Sequence, residues 1–297
     1  MNDKLCNKYI IIKKIGSGSF GDVYLSIDSD NNYYAIKTEQ KKHHKKSKLK
    51  EEYIIYNNLH NNGFIEGIPK IYDFMRTSFP KTGDYNILVM ELLGENLENL
   101  FISAKKKFNL ATILKIGFDA ISLLEKLHEY GYIHRDIKPA NFLIGKSNPN
   151  QLYIMDFGLS KKYEKHGKHI KLYTNNSLVG TARYASINVH MGMECSRRDD
   201  IESVGYMLLY FFLGVLPWQG YKKNRNKNDK KFTDIGDKKK MTDFLAKEYN
   251  NVPKCFFDII RYARLLKFTE EPDYEYIKNL FLNTAKNNKI KLKYQWI

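Results

Sequence analysis

Cysteine is scarce in this chain: there are three in 297 residues, Cys6, Cys195 and Cys255, widely separated. They fit neither a disulfide framework nor a metal-ligand spacing, and such sparing use suits a reducing compartment. Long apolar runs are missing too. The most apolar stretch, residues 203–217, is shorter than the ~20 residues of a membrane span and ends at Pro217-Trp218, so it reads as a buried core helix. Lysines interrupt the short apolar run of residues 1–15, which does not read as a signal peptide. Acidic residues are in deficit: 33 Asp+Glu face 49 Lys+Arg, a formal net charge of +16. Only eight of those cations are arginines, and 27 asparagines accompany the lysines, a bias that AT-rich codon usage alone can produce. Otherwise the surplus reads as a surface that attracts phosphate, acidic peptide or nucleic acid. Hydrophobic residues at 43% and aromatics at 14% suffice to bury a core, which excludes global disorder. The expectation is a soluble intracellular protein, either one large domain or two packed lobes.

The pattern changes character along the chain. Residues 9–15 alternate apolar and basic side chains, residues 23–27 and 33–38 are β-branched or aromatic, and residues 28–32 have turn composition. A helical pattern covers residues 48–59 and a strand residues 86–92, with residues 76–83 read as a surface loop. Beyond Gly94 the periodicity becomes helical, at residues 97–104 and 111–130. A small β-rich lobe and a larger helical lobe follow, joined near residues 91–94. The lysine-rich residues 41–50 and 222–231 read as exposed segments.

The first string that carries chemistry is I-G-S-G-S-F-G-D-V, with Gly16, Gly18 and Gly21 in G-x-G-x-x-G. A dinucleotide-binding turn shares this pattern but leads into a helix; here a second strand follows, so the glycines cap a hairpin. Their amides can approach phosphates without side-chain clashes, and Val23 can cover an adenine ring. Lys37 ends Y-A-I-K on a strand, where it can pair with the α- and β-phosphates if a carboxylate holds it. Glu52 on the next helix is the choice for that carboxylate; its neighbour Glu51 points about 100° around the helix. In I-H-R-D-I-K-P-A-N-F-L, Asp136 would accept or orient the proton of a substrate hydroxyl, and Lys138 can reach a transferring phosphate. Asn141 offers a neutral oxygen to a second Mg²⁺, and Asp156, in I-M-D-F-G, a carboxylate to the first. The order and spacing of these elements resemble the eukaryotic protein kinases.

Further strings narrow the resemblance. G-T-A-R-Y-A-S-I-N (residues 180–188) puts S-I-N where most protein kinases carry A-P-E. S-R-R-D-D-I-E-S-V-G-Y, L-P-W-Q-G, L-V-M-E-L-L-G and P-D-Y accompany it. From Tyr9 onward the chain resembles the casein kinase 1 family, with S-I-N and L-P-W-Q-G favouring it over tau-tubulin or vaccinia-related kinases. That likeness implies an α+β, bilobal protein-kinase fold forming a single catalytic domain. Its small β-rich N-lobe with one main helix would span about residues 1–91, the hinge about 91–94 and the larger helical C-lobe about 95–297.

The resemblance also implies roles. ATP would be held by Ile15, Gly16, Ser17, Gly18, Ser19, Phe20, Gly21 and Val23 of the glycine loop, and by Ala35, Lys37 and Leu143. Met90 would be the gatekeeper, and Glu91, Leu92 and Leu93 the hinge that hydrogen-bonds the base. Catalysis would rest on Asp136, Lys138, Lys37 and Glu52, with Asn141 and Asp156 on Mg²⁺ (or Mn²⁺) and Asp200 anchoring the catalytic loop. Arg183 would bind a substrate phosphate together with Lys231, or with Lys230. The implied activity is ATP-dependent phosphorylation of Ser/Thr in acidic or phosphate-primed proteins. A primed site carries phosphoserine or phosphothreonine three residues before the target.

No activation-segment phosphorylation would be required, although residues 163–177 contain Thr174 and Ser177. Ala140 stands where the family usually has an acidic residue, and Ser160 where alanine is common. His43, His44, His166 and His169 lie among lysines without partners at metal spacing and read as solvent-exposed. With Lys37, Asp136, Asn141 and Asp156 all present, a catalytically dead scaffold is the weaker alternative. No nucleic-acid module is evident, so nucleic acid is not a required partner. The expected enzyme is a monomer of the cytoplasm, with lysine runs that would also suit nuclear import.

Overall fold

The computed structural model describes residues 4–5, 8–18, 21–41, 46–64, 66–79, 83–219, 235–237, 239–240 and 242–296. Ser19, Phe20, Lys230 and Lys231, all named above, lie outside these residues, as do His43 and His44. The fold is α+β. Strands β1 (Lys4–Leu5), β2 (Tyr9–Gly18), β3 (Gly21–Ile27) and β4 (Tyr33–Gln40) precede helix α1 (Lys48–Asn61), which strands β5 (Ile71–Phe79) and β6 (Gly83–Glu91) follow. Helices α2 (Leu97–Ser103) and α3 (Leu110–Glu129) come next, then the short strands β7 (Tyr132–Ile133), β8 (Phe142–Ile144), β9 (Leu152–Ile154), β10 (Lys161–Lys162), β11 (Glu164–Lys165) and β12 (Lys168–His169). The described chain continues through α4 (Ile187–His190), α5 (Arg197–Leu213), α6 (Thr242–Glu248), α7 (Lys254–Leu265) and α8 (Tyr274–Asn287). Two compact units result: Met1–Glu95 with Leu143–Leu159, and Asn96–Phe142 with Ser160–Ile297.

The first unit is an antiparallel sheet in the order β1-β2-β3-β4-β6-β5, with α1. Because successive side chains alternate across a strand, register assigns each residue a face. Tyr9, Ile36, Ile87 and Val89 form an apolar cluster on one face. The opposite face receives Val23 opposite Lys37, Lys37 opposite Leu88, and Ala35 opposite Met90. Apart from Glu91, which pairs with Tyr34 on the first face, the sequence candidates on these three strands therefore share that second face. Residues 76–83 are not the expected surface loop. Residues 76–79 end β5 and Gly83 opens β6, in a hairpin pairing Arg76 with Asn86 and Phe79 with Gly83, so their backbone groups bond across strands instead of facing water. The later segment Leu143–Leu159 also belongs to this unit. Its hydrogen bonds explain why: Gly94 N–H donates to Ile144 O, Ile144 N–H to Glu95 O, and Ile154 N–H to Gly67 O.

The second unit is mostly helical. Asn109 caps α3 by accepting from Thr112 N–H, and Asp273 caps α8 by accepting from Tyr276 N–H. At the start of α5, Ser196 N–H donates to the Asp199 carboxylate, and left-handed Gly214 ends the helix. Nearly every side chain of α5 from Asp199 to Phe211 is buried, so it is the central helix of the unit, and the apolar residues 203–213 lie within it. Among the described residues no helix is long and apolar enough to cross a membrane. Large fully buried side chains such as Phe211, Phe256 and Phe281 each contribute about 1.5–3 kcal/mol by leaving water.

Candidate active site

In the first unit, β4 places Lys37 beneath the glycine hairpin and α1 supplies its partner. Lys37 Nζ lies 2.7 Å from Glu52 Oε2 and 2.8 Å from Asp156 Oδ1. Of the two adjacent carboxylates on α1, only Glu52 reaches it; Glu51 pairs with Lys48 on the surface. Burial would depress the Lys37 pKa, but attraction to Glu52 and then Asp156 raises it, so the ammonium persists. Burial raises the Glu52 carboxyl above its usual range, with Lys37 opposing. Asp156 adopts a left-handed φ of 70°, which costs energy for a residue with a Cβ and is held by its surroundings. Its N–H donates to Tyr56 Oη at 3.3 Å, and Phe157 packs edge-on against the buried Tyr56 ring. Tyr56 was not evident in the sequence, where it was one apolar position of α1 among several.

The glycine hairpin pairs Gly16 with Val23 and Gly18 with Gly21. Gly21 is obligatory: at φ 146°, a Cβ there would fall 1.6 Å from Thr38 O. Ile15 sits at the bulge between β2 and β3 and is exposed, whereas Ala35, Met90 and Leu93 are buried. Glu91 N–H bonds Lys70 O, and Gly94 is held by Ile144, so the strip carrying Leu92 and Leu93 is tied at both ends, next to the segment bearing Leu143.

In the second unit a tight loop follows β7. Arg135 is left-handed at φ 69°, and the loop closes on Asp200 of α5. Asp200 accepts His134 N–H at 2.7 Å and Arg135 N–H at 2.9 Å. His128, at the end of α3, completes the arrangement, with Nε2 3.0 Å from Asp200 and Nδ1 2.7 Å from Tyr274 Oη. A tyrosine hydroxyl donating to Nδ1 leaves the proton on Nε2, where it faces the carboxylate. Burial pushes Asp200 upward, but its bond to His128 and the neighbouring donors hold it below the usual carboxylate range. In the sequence nothing marks His128 as functional, and Tyr274 shows only as the tyrosine of P-D-Y.

Asp136 is held firmly. Its Oδ1 accepts Thr181 N–H at 2.9 Å and Thr181 Oγ1–H at 2.8 Å, and its Oδ2 lies 2.6 Å from Lys138 Nζ. Asn141 Nδ2 donates to Asp136 O at 2.8 Å and, more weakly, to Oδ2 at 3.3 Å, which leaves the Asn141 carbonyl oxygen as an acceptor. Gly180, at φ 85°, makes the approach of Thr181 possible; a Cβ there would lie 2.3 Å from Arg135 O. Chemically, Asp136 can take a hydroxyl proton at Oδ2 once Lys138 turns to an incoming phosphate. In the first unit the Asp156 carboxylate, and in the second the Asn141 carbonyl, each offer a hard oxygen of the kind Mg²⁺ takes alongside waters and nucleotide phosphates. Among the described residues no cluster of three His, Cys, Asp or Glu builds a protein-only metal cage.

The segment around Arg183 follows Thr181, and the Arg183 guanidinium lies 5.8 Å from the ring centroids of Tyr184 and Tyr210. Glu202 of α5 accepts Ile187 N–H at 3.3 Å, within the S-I-N segment, and pairs with Arg264 at 3.0 Å. Glu202 lies in D-I-E, which gave no such indication. His169 is not solvent-exposed as expected, because its ring packs on Tyr163 and Phe268.

The buried His128 makes a pH prediction. Desolvation, outweighing attraction to Asp200, lowers its pKa below 6.5. Below pH ~6.5 the unfolded chain therefore binds a proton that the folded chain refuses, and stability falls as pH drops through the folded pKa. A His128→Gln variant keeps a donor to Asp200 and an acceptor for Tyr274 but cannot titrate. Urea unfolding at pH 7.5 and 5.5 should show wild type losing up to about 1.4 kcal/mol per pH unit relative to the variant. Equal slopes would exclude a neutral buried His128.

The sequence model described as "Protein kinase domain" matches residues 9–271, a span that contains the Lys37–Glu52–Asp156 cluster and the Asp136 loop. The chain therefore belongs to the protein kinase family, whose members phosphorylate proteins using ATP and a divalent metal.

Proposed function

We propose that this protein is a Ser/Thr kinase of the casein kinase 1 type, acting on acidic or phosphate-primed proteins with Mg²⁺-ATP. In this reading both compact units serve one reaction. Lys37 and Asp156 engage the phosphates and metal, while Asp136, Lys138 and Asn141 engage the acceptor hydroxyl and the transferring group. The observation that carries the substrate preference is Arg183. Among the described residues no carboxylate lies within 4.0 Å of its guanidinium, which rests against two aromatic faces. A partly buried cation without a carboxylate partner suits a planar bidentate anion site, and Lys231 (or Lys230) would add a second charge.

Activity without activation-segment phosphorylation has its own support. Lys161 Nζ is paired at 2.8 Å with the buried Glu194, whose N–H donates to Tyr173 O. Asn176 N–H bonds Gly192 O. The backbone of Glu194 and Gly192 thus holds the segment that carries Thr174 and Ser177, while the Glu194 carboxylate already neutralises Lys161 without an added phosphate.

The test compares kcat/KM on a peptide with phosphoserine three residues before the acceptor and on its unphosphorylated counterpart, using phosphatase-treated enzyme. Wild type should remain active and prefer the primed peptide. Arg183→Ala should reduce that preference about 10- to 100-fold, the worth of one or two charge-assisted bonds. An unchanged primed-to-unprimed ratio would refute the anion-reading role. Loss of all activity on phosphatase treatment would refute constitutive competence.

A further inference from the structure

Lys239 is one of three consecutive lysines, yet its side chain is fully buried. Its Nζ donates to Ala182 O at 3.0 Å and to Ala185 O at 2.5 Å, and lies 3.1 Å from His190 Nε2. The ammonium also faces the rings of Tyr206 and Trp218, 4.6 and 5.2 Å from their centroids. Trp218 Nε1–H donates to Arg183 O at 2.8 Å. The carbonyls of Ala182, Arg183 and Ala185 are thus gripped by side chains that converge on one point. Arg264 closes the cage from behind, bonding Lys239 O at 2.7 Å, Tyr206 Oη at 2.8 Å and Glu202 at 3.0 Å.

The other end of this turn is the catalytic group. Tyr184 N–H and Ala185 N–H both bond Thr181 O, and Thr181 itself grips Asp136. Arg183 therefore stands on a five-residue turn tied at one end to the catalytic aspartate and at the other to the Lys239 cage. Burial pulls the Lys239 pKa down to about 7, against attraction from Glu202 and with Arg264 adding repulsion. Two carbonyl acceptors at Nζ favour the charged form, while His190 Nε2, 3.1 Å from both Nζ and Ala182 O, can accept from the lysine or donate to the carbonyl. A methionine could fill this space between two aromatic rings without the cost of desolvating a charge, which argues that the carbonyl bonds are what the lysine supplies.

We propose that Lys239 and Trp218 are positioning residues that fix the backbone of Arg183 relative to Asp136, and so set how strongly the substrate's anionic group is favoured. The inference rests on Arg183 reading that anion. It identifies the part of the fold that sets the distance from phosphate to acceptor hydroxyl, a geometric constraint to which rates are sensitive.

Lys239→Met, Trp218→Phe, Arg183→Ala and the Lys239→Met/Arg183→Ala double variant are assayed on the primed and unprimed peptides, each after a thermal melt. Lys239→Met should lower the primed-to-unprimed ratio about five- to tenfold, through KM for the primed peptide and not through kcat. In the Arg183→Ala background it should produce no further change, the coupling expected of residues that act as one unit. If Lys239→Met does not melt cooperatively, Trp218→Phe, which keeps an aromatic ring but loses the bond to Arg183 O, carries the same expectation. A wild-type ratio in a folded Lys239→Met or Trp218→Phe, with the ratio collapsed in Arg183→Ala, would overturn the positioning role. A wild-type ratio in Arg183→Ala would instead overturn the anion reading beneath it.

Discussion

Asp136→Asn lowers kcat for protein phosphorylation by about 10²- to 10⁴-fold, the usual contribution of a positioned general base. All the groups around the Asp136 carboxylate are donors: Thr181 N–H, Thr181 Oγ1–H, Lys138 Nζ and Asn141 Nδ2. An amide can keep its oxygen toward Thr181, but its NH₂ then meets Lys138 and Asn141, donor against donor, and cannot take a proton from the acceptor hydroxyl. Nucleotide affinity, assigned to Lys37 and Asp156, should be unchanged. Single-turnover phosphoryl transfer alongside equilibrium nucleotide binding separates the two quantities. A variant with near-wild-type kcat would remove Asp136 from the chemistry.

Asp200→Ala should produce the largest stability loss, about 3–5 kcal/mol, because it leaves three buried donors unpaired at about 1–3 kcal/mol each. The His134 and Arg135 N–H groups and His128 Nε2 would lose their acceptor inside a wholly buried site where water cannot replace it. For a chain of this size the melting temperature should fall by about 5–15 °C. Activity should fall further than stability predicts, because the same carboxylate holds the left-handed Arg135 that turns the loop toward Asp136. Activity measured well below the transition distinguishes these effects. A variant with wild-type melting and kcat would show that the loop is held by other contacts.

Particular residues show how far the sequence could be read. The strands were visible because apolar alternation is local, and the helical region because a 3.6-residue period needs only one segment to be seen. The exception is instructive: residues 76–83 look polar and loop-like, but the backbone of residues 76–79 pairs with β6, which begins at Gly83. Polarity marks an exposed face, not the absence of a strand. Glu52 could be ranked above Glu51 from helix geometry alone. By contrast, no local pattern connects His128 to Tyr274, 146 positions apart, or Glu202 to Arg264, 62 positions apart.

The sequence by itself determined the chemistry. Glycines in a hairpin, a strand lysine, and an aspartate followed at short spacing by a lysine and an asparagine are functional groups whose identity and order are covalent facts, legible before any folding. Tertiary structure decided which groups hold them and which charges face water. Lys239 is the middle of three consecutive lysines in a chain of net charge +16, yet the packing around α5 and Trp218 buries it completely. Burial is a property of the elements that close over a residue, so a lysine beneath two carbonyls and two rings cannot be distinguished in sequence from its neighbours. In the fold it becomes the group that holds the backbone of Arg183 in place.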